Sequence, residues 1–299
     1  MPGKPTRHAS SEEPASNPRS PSRRAVLKTG AAIGLGAFGA GEIVTRARQA
    51  TPGAESTPTE CVLTPELTEG PYYVDGQLIR RDVTEGKPGA PLGLRISVQD
   101  ITTCQPLANA AVDIWHCDAQ GYYSGISGEN PGGGSPATGD ENLTTTFLRG
   151  VQLTDENGAV EFDTIYPGWY GGRTVHIHMK VLVEGEVGAA TDDPEAMATP
   201  DGGETYQSGH TAHVGQLFFD DAISEEVFAT DAYARSSEEG KIGNTEDNIF
   251  ADHGDDPGFL VELTGSATDG FTGEITVGVD PTATASDGGM AGGGPPPSS

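Results

Sequence analysis

Apolar and polar side chains alternate along seven stretches of the chain, 93–100, 110–116, 148–153, 158–163, 174–183, 214–219 and 271–279, set between Gly, Asp, Asn or Pro turns. A period of two sends successive side chains to opposite faces of an extended strand. Many short alternating runs with almost no helical periodicity therefore predict an all-β chain, a β-sandwich of mostly antiparallel strands. Glu156-Asn157-Gly158, between two of these runs, is a hairpin signal, because Asn and Gly tolerate the positive φ such turns require. One short helix is expected over 224–229, with Ser224 as N-cap and Glu225 and Glu226 in its first turn. Two long polar stretches, 124–146 and 186–212, interrupt the strands as loops. Loops of that length in a compact domain are usually functional or disordered, and here they are expected to surround a site and set its substrate choice.

Chemistry enters at the run 174–183, where His176 and His178 flank Ile177. Alternation points both imidazoles to one face of a strand, which makes half a metal site. The plain alternative is a polar face turned to solvent, and spacing alone does not choose between them. Tyr170, just upstream, and Tyr123, about fifty residues earlier, offer oxygen donors. His210 and His213 are expected in a loop near the mouth of the site, His116 beside it, and His8 and His253 carry no usable pattern.

Together these residues resemble the intradiol ring-cleavage dioxygenases, non-haem iron(III) enzymes that include the catechol and protocatechuate dioxygenases. The family pattern runs from a strand-ending Trp through a Gly to a ligand Tyr, then Pro-Gly-x-Tyr, then Arg-x-x-His-x-His. Here it reads Trp115, Gly121, Tyr123, then Pro167-Gly168-Trp169-Tyr170, then Arg173-Thr174-Val175-His176-Ile177-His178. Glu69-Gly70-Pro71-Tyr72-Tyr73 and Gln216-Leu217-Phe218-Phe219 match as well, so the resemblance spans about residues 61–280. It implies Fe(3+) held by Tyr123, Tyr170, His176 and His178, with Arg173 and Gln216 beside it. Tyr123 is preferred to its neighbour Tyr122 because its offset from Trp115 and Gly121 fits the family, and because Tyr122, as its strand neighbour, should face the other way. Two tyrosinates are hard, strongly donating anions and favour ferric over ferrous iron. The implied reaction opens a catecholic ring between its two hydroxyl-bearing carbons and places both atoms of O2 in the product. In it Tyr170 is the displaceable ligand, and Arg173 steadies negative charge on the substrate, as a permanently charged fork of donors can. A strand-edge salt bridge is the bland reading of Arg173, and a solvent-facing strand position that of Gln216.

Composition settles the surroundings. Ser22-Arg23-Arg24-Ala25-Val26-Leu27-Lys28 precedes an uncharged, Gly-rich stretch from Thr29 to Ala40, which resembles a twin-arginine export signal and is too short to span a bilayer stably. The expected organisation is a signal region over 1–50, a Pro/Thr/Glu linker over 51–60, one domain over 61–280 and a disordered Gly/Pro-rich tail over 281–299, the product lying outside the cell or in its envelope. The whole chain carries 17 Lys and Arg against 44 Asp and Glu; the leader holds eight and three of these, so its removal takes the net charge from −27 to near −32. Such a surface excludes nucleic acid and anionic membranes as partners. In an exported chain Cys61, Cys104 and Cys117 can form one bridge, and Cys61 to Cys104 is favoured, leaving Cys117 a buried thiol. Two rival functions stand beside the enzyme. A cupin-like metalloprotein also uses His-x-His, but its glutamate follows sooner than Glu184 does. A secreted, non-catalytic β-sandwich binding carbohydrate or a partner would present its tyrosines as exposed stacking platforms.

Overall fold

The computed structural model describes residues 61–75, 78–126, 143–189, 203–235, 240–253 and 258–285, all within one compact unit, Glu55–Ser299. The expected leader, the linker and the tail beyond 285 lie outside the described residues. Residues 281–285, expected to begin that tail, are held instead: Ala285 is buried and its N–H donates to Thr211 O at 2.9 Å.

Eleven strands and two short α-helices are described. In chain order they are β1 (Pro91–Asp100), β2 (Gln105–Pro106), β3 (Ala111–Trp115), β4 (Arg149–Leu153), β5 (Ala159–Ile165), β6 (His176–Val183), β7 (Glu186–Ala189), β8 (Glu204–Gln207) and β9 (His210–Phe218). There follow α1 (Asp221–Phe228), α2 (Asn248–Ala251), β10 (Glu262–Ser266) and β11 (Gly270–Val279). One sheet runs β10-β11-β1-β2, with β5 also paired to β1; a second runs β4-β3-β6-β9; β7 and β8 form a separate ribbon. Every pairing between these strands is antiparallel except β1 with β11. The all-β sandwich follows directly from the alternation: Leu92, Leu94, Ile96 and Val98 of β1 share one apolar core with Val112 and Ile114 of β3 and Ile177, Met179 and Val181 of β6.

Three expectations need correction. Asp155, Asn157 and Gly158 do form a tight turn, with Asp155 accepting from the N–H groups of Asn157 at 2.9 Å and Ala159 at 2.8 Å. Yet β4 and β5 pair in different sheets, so the turn is a corner between layers and not a hairpin. The helix α1 begins three residues early, because the Asp220 carboxylate caps it by accepting from Ala222 N at 2.7 Å and Ile223 N at 3.4 Å. Ser224 sits inside the helix, with its hydroxyl against Tyr166. The stretch 186–212 contains the ribbon β7–β8 and the start of β9, so His210 and His213 are strand residues. His213 pairs with Val181 and is buried in the sandwich. The remainder of both expected loops, 127–142 and 190–202, lies outside the described residues.

Strand β6 explains where chemistry can sit. Its inner residues Ile177, Met179, Val181 and Val183 join the core, so His176, His178 and Lys180 face away from it, and these three are buried too. Segment 67–75 lies across that outer face, tied by Leu67 N to Val214 O at 2.9 Å and by Glu69 to Lys180 at 2.5 Å. The disulfide between Cys61 and Cys104 fastens the start of that segment to the turn after β1, and Cys117 is free and buried.

Candidate metal centre

Four expected donors meet under segment 67–75. His176 and His178 bring their Nε2 atoms to 3.1 Å, and the Tyr170 hydroxyl lies 3.0 Å from His176 Nε2. The Tyr123 ring stands 5.9 Å from that of Tyr170 and 6.1 Å from that of His178. Tyr123 is fully buried, whereas Tyr122 is half-exposed. The two belong to a loop, so backbone alternation is not what separates them.

Two glycines let the tyrosine loops touch. A Cβ on Gly121 would stand 2.4 Å from Trp169 O, and one on Gly168 would stand 2.3 Å from Asp118 O, so only bare backbone fits at either crossing. Asp118 folds its own loop by accepting from Gln120 N at 2.9 Å and Tyr122 N at 3.1 Å. Gly70, at φ +75°, presses from above; a Cβ there would meet His178 Cε1 at 3.1 Å. Trp115 stacks on His178 at 5.0 Å and 3°.

The donor chemistry fits a cation. His176 Nδ1 lies 2.7 Å from Thr174 O; a carbonyl only accepts, so Nδ1 carries the proton and Nε2 offers its lone pair to the site. Burial, and then the nearby Arg173 charge, holds both His176 and His178 well below the ordinary imidazole range and therefore neutral. Burial likewise pushes the Tyr123 and Tyr170 phenols up, so without a cation both stay protonated. Bonds of about 2.0–2.1 Å to one metal ion place neighbouring donors about 3 Å apart, which is the spacing from His176 Nε2 to Tyr170 Oη and to His178 Nε2. Among the described residues no group of three or more His, Cys, Asp and Glu side chains forms a metal cluster, and a set with two tyrosines is of a different kind.

Arg173 and Gln216 border the donors. Arg173 Nη1 lies 3.5 Å from His176 Nε2, and Nη2 donates to Gln216 Oε1 at 2.5 Å. Gln216, opposite His178 in the β6–β9 register, donates in turn to Thr68 O at 2.8 Å. Sequence reasoning missed two neighbours. Asp247 accepts from Arg173 Nε at 2.7 Å, and an Asp heading the run Asn248-Ile249-Phe250 does carry a readable N-cap signal. Arg149, buried and opposite Trp115, places its guanidinium 5.9 Å from the Tyr123 ring, a cation that favours a phenolate there. It is anchored by donating to Ser124 Oγ at 2.9 Å and Tyr72 O at 2.7 Å.

His116 lies near enough to help lower both site histidines, but it hydrogen-bonds elsewhere. Its Nδ1 lies 2.8 Å from Cys117 O and its Nε2 2.8 Å from Thr164 Oγ1, the pattern of a satisfied structural histidine. Glu184, which a cupin-like site would recruit, is exposed and lies 3.5 Å from His210 Nδ1. The burial of Tyr123 and Tyr170 also removes them as exposed stacking platforms.

The family model described as "Dioxygenase" matches residues 68–191, which include every expected donor. The catechol 1,2-dioxygenase of Acinetobacter baylyi is 30% identical over 145 residues, 41% of this chain and 43% of that protein. The chlorocatechol 1,2-dioxygenase of Rhodococcus opacus is 27% identical over 140 residues, 40% of this chain and 49% of that protein. The chain thus spans less than half the length of these curated relatives. The solved structure of an intradiol ring-cleavage dioxygenase from Tetranychus urticae superposes with a TM-score of 0.59 at 29% identity, covering 75% of this chain and 98% of that one.

Proposed function

We propose that this chain, which belongs to the intradiol ring-cleavage dioxygenase family, is an exported iron(III) dioxygenase that opens catecholic rings between the two hydroxyl-bearing carbons. The observation that carries the reading is the convergence of Tyr170, His176 and His178 at 3.0 and 3.1 Å with Tyr123 alongside, buried and uncharged. Export is supported by the Arg23-Arg24 leader and by the Cys61–Cys104 disulfide, which suits an oxidising compartment.

Tyr123, Tyr170, His176 and His178 would hold the iron, which when bound supplies a Lewis acid that takes both catecholate oxygens and leaves the ring electron-rich toward O2. The chain's residues do the rest. Burial raises the Tyr170 phenol, so Tyr170 Oη would act as a base able to hold one proton that a catechol gives up on binding. Arg173 Nη1, aimed into the donor set, donates to negative charge that builds on the ring. Segment 67–75 and Trp115 exclude water from the histidine side, which strengthens each of these interactions.

Metal content and ring opening of catechol by purified ligand variants test this reading. Tyr123→Phe and His176→Ala are expected to lose iron and activity together, and a fully active, iron-replete variant at either position overturns the site. Tyr170→Phe is expected to retain some iron, shift its visible band and slow turnover, since only the displaceable ligand is lost.

A further inference from the structure

We infer that Asp247, a residue outside the matched family segment, is a positioning residue for this reaction that works through Arg173; the inference rests on the ring-cleavage reading above. The Asp247 side chain is fully buried, and both its oxygens are used. Oδ2 accepts from Arg173 Nε at 2.7 Å and from Thr174 N at 2.8 Å. Oδ1 caps α2, accepting from Ile249 N at 2.7 Å and Phe250 N at 3.2 Å. One carboxylate therefore ties a helix N-terminus to the entry of strand β6 and to the guanidinium.

The other edge of the fork is held as firmly. Gln216 Nε2 donates to Thr68 O, which turns Gln216 Oε1 toward Arg173 Nη2. A guanidinium is planar and rigid, so fixing Nε and Nη2 fixes the whole group. Nη1 is the part left to face His176 Nε2 at 3.5 Å. Thr174, whose carbonyl orients His176, is itself held by Asp247 and by its hydroxyl to Asn244 Oδ1 at 2.7 Å.

Charge and positioning predict opposite signs here. Removing a negative charge beside Arg173 strengthens its pull on an anionic substrate, so on charge alone Asp247→Asn binds catechol more tightly and turns over at least as fast. If the carboxylate positions the fork, the same change lowers the rate, since small misplacements of an aligned group cost up to about 10²-fold.

The test uses full-length, iron-loaded protein as wild type, Asp247→Asn, Arg173→Ala and the double variant. The expected result is iron content and resting visible band as in wild type, weaker catechol binding by anaerobic spectral titration, and kcat/KM for ring opening down about tenfold to hundredfold. In the Arg173→Ala background the same change is expected to cost less than about twofold, because the group it positions is gone. In metal-free protein the Arg173 Nε–H signal in NMR, slow to exchange in wild type, is expected to exchange fast in Asp247→Asn. Wild-type kinetics, tighter catechol binding, or an equal loss in both backgrounds overturns the inference. Should Asp247→Asn unfold or shed iron, Arg173→Lys decides, for lysine keeps the charge and lacks the Nε–H: loss equal to Arg173→Ala supports the held fork, and full activity overturns it. A wild-type protein without an iron band would instead overturn the ring-cleavage reading, a failure visible before any variant is made.

Discussion

His178 is oriented in a different way from its partner. His176 has a carbonyl on Nδ1 to fix its ring, whereas His178 Nδ1 has no hydrogen-bond partner among the described residues, and its ring is set by Trp115 on one side and Gly70 close by. Packing replaces the hydrogen bond, so Gly70 becomes a site residue although it carries no functional group. Gly70→Ala is expected to cost about 1–2 kcal/mol from the left-handed φ of +75° alone. The added methyl, 3.1 Å from His178 Cε1, is expected to displace the imidazole as well. Calorimetry of the metal-free protein and iron retention through gel filtration check both, and an unchanged melting temperature with full iron would contradict the packing account. Of the site residues, the histidines, tyrosines, Arg173 and Gln216 were legible because they stand in ordered motifs. Asp247 and Arg149 were not, since each is joined to the site by a contact distant along the chain, Asp247 74 residues from Arg173 and Arg149 25 residues from Ser124.

At the scale of elements, two-residue alternation read β1, β3 and β6 because each buries one set of side chains in the core. It could not read β2, β7, β8 and β10, which are short and largely exposed, so no buried face imprints a period on them. The turn 155–158 was legible as a turn but not as a corner, because which sheet a strand joins depends on partners elsewhere in the chain. The segment over the site is itself an element without regular structure. It is secured at one end by the Cys61–Cys104 bridge, whose cysteines are 43 residues apart. A loop of that size is worth about 4 kcal/mol in the chain-entropy view. Cys61→Ser is therefore expected to lower the melting temperature measurably and to raise proteolytic cleavage near residues 61–75. Unchanged stability and protection would show that the packing of 67–75 suffices alone.

For the molecule as a whole, burial that keeps the donors neutral makes the metal-free protein acid-labile. His116, His176, His178 and His213 are all depressed by burial, His116 and His213 to about 4, so the unfolded chain takes up their protons below about 6.5 while the fold does not. Stability from these four is present above that pH and is lost as pH falls. Asp113, raised by burial to about 7, opposes them by holding in the folded state a proton the unfolded chain gives up. Four groups against one leave the unfolded chain the stronger proton binder near pH 5, so stability falls as pH falls. Melting curves between pH 7 and 5 check this, and a flat profile would contradict it; iron, which competes with protons for the same nitrogens, is expected to move the loss to lower pH. The central claim is that these neutral donors are a ferric site that a catechol chelates. Its most direct test is the visible absorption spectrum of the purified protein before and after anaerobic addition of catechol. The account predicts a broad tyrosinate-to-iron(III) band that shifts when catechol is added; a protein that stays colourless after reconstitution with iron would contradict it.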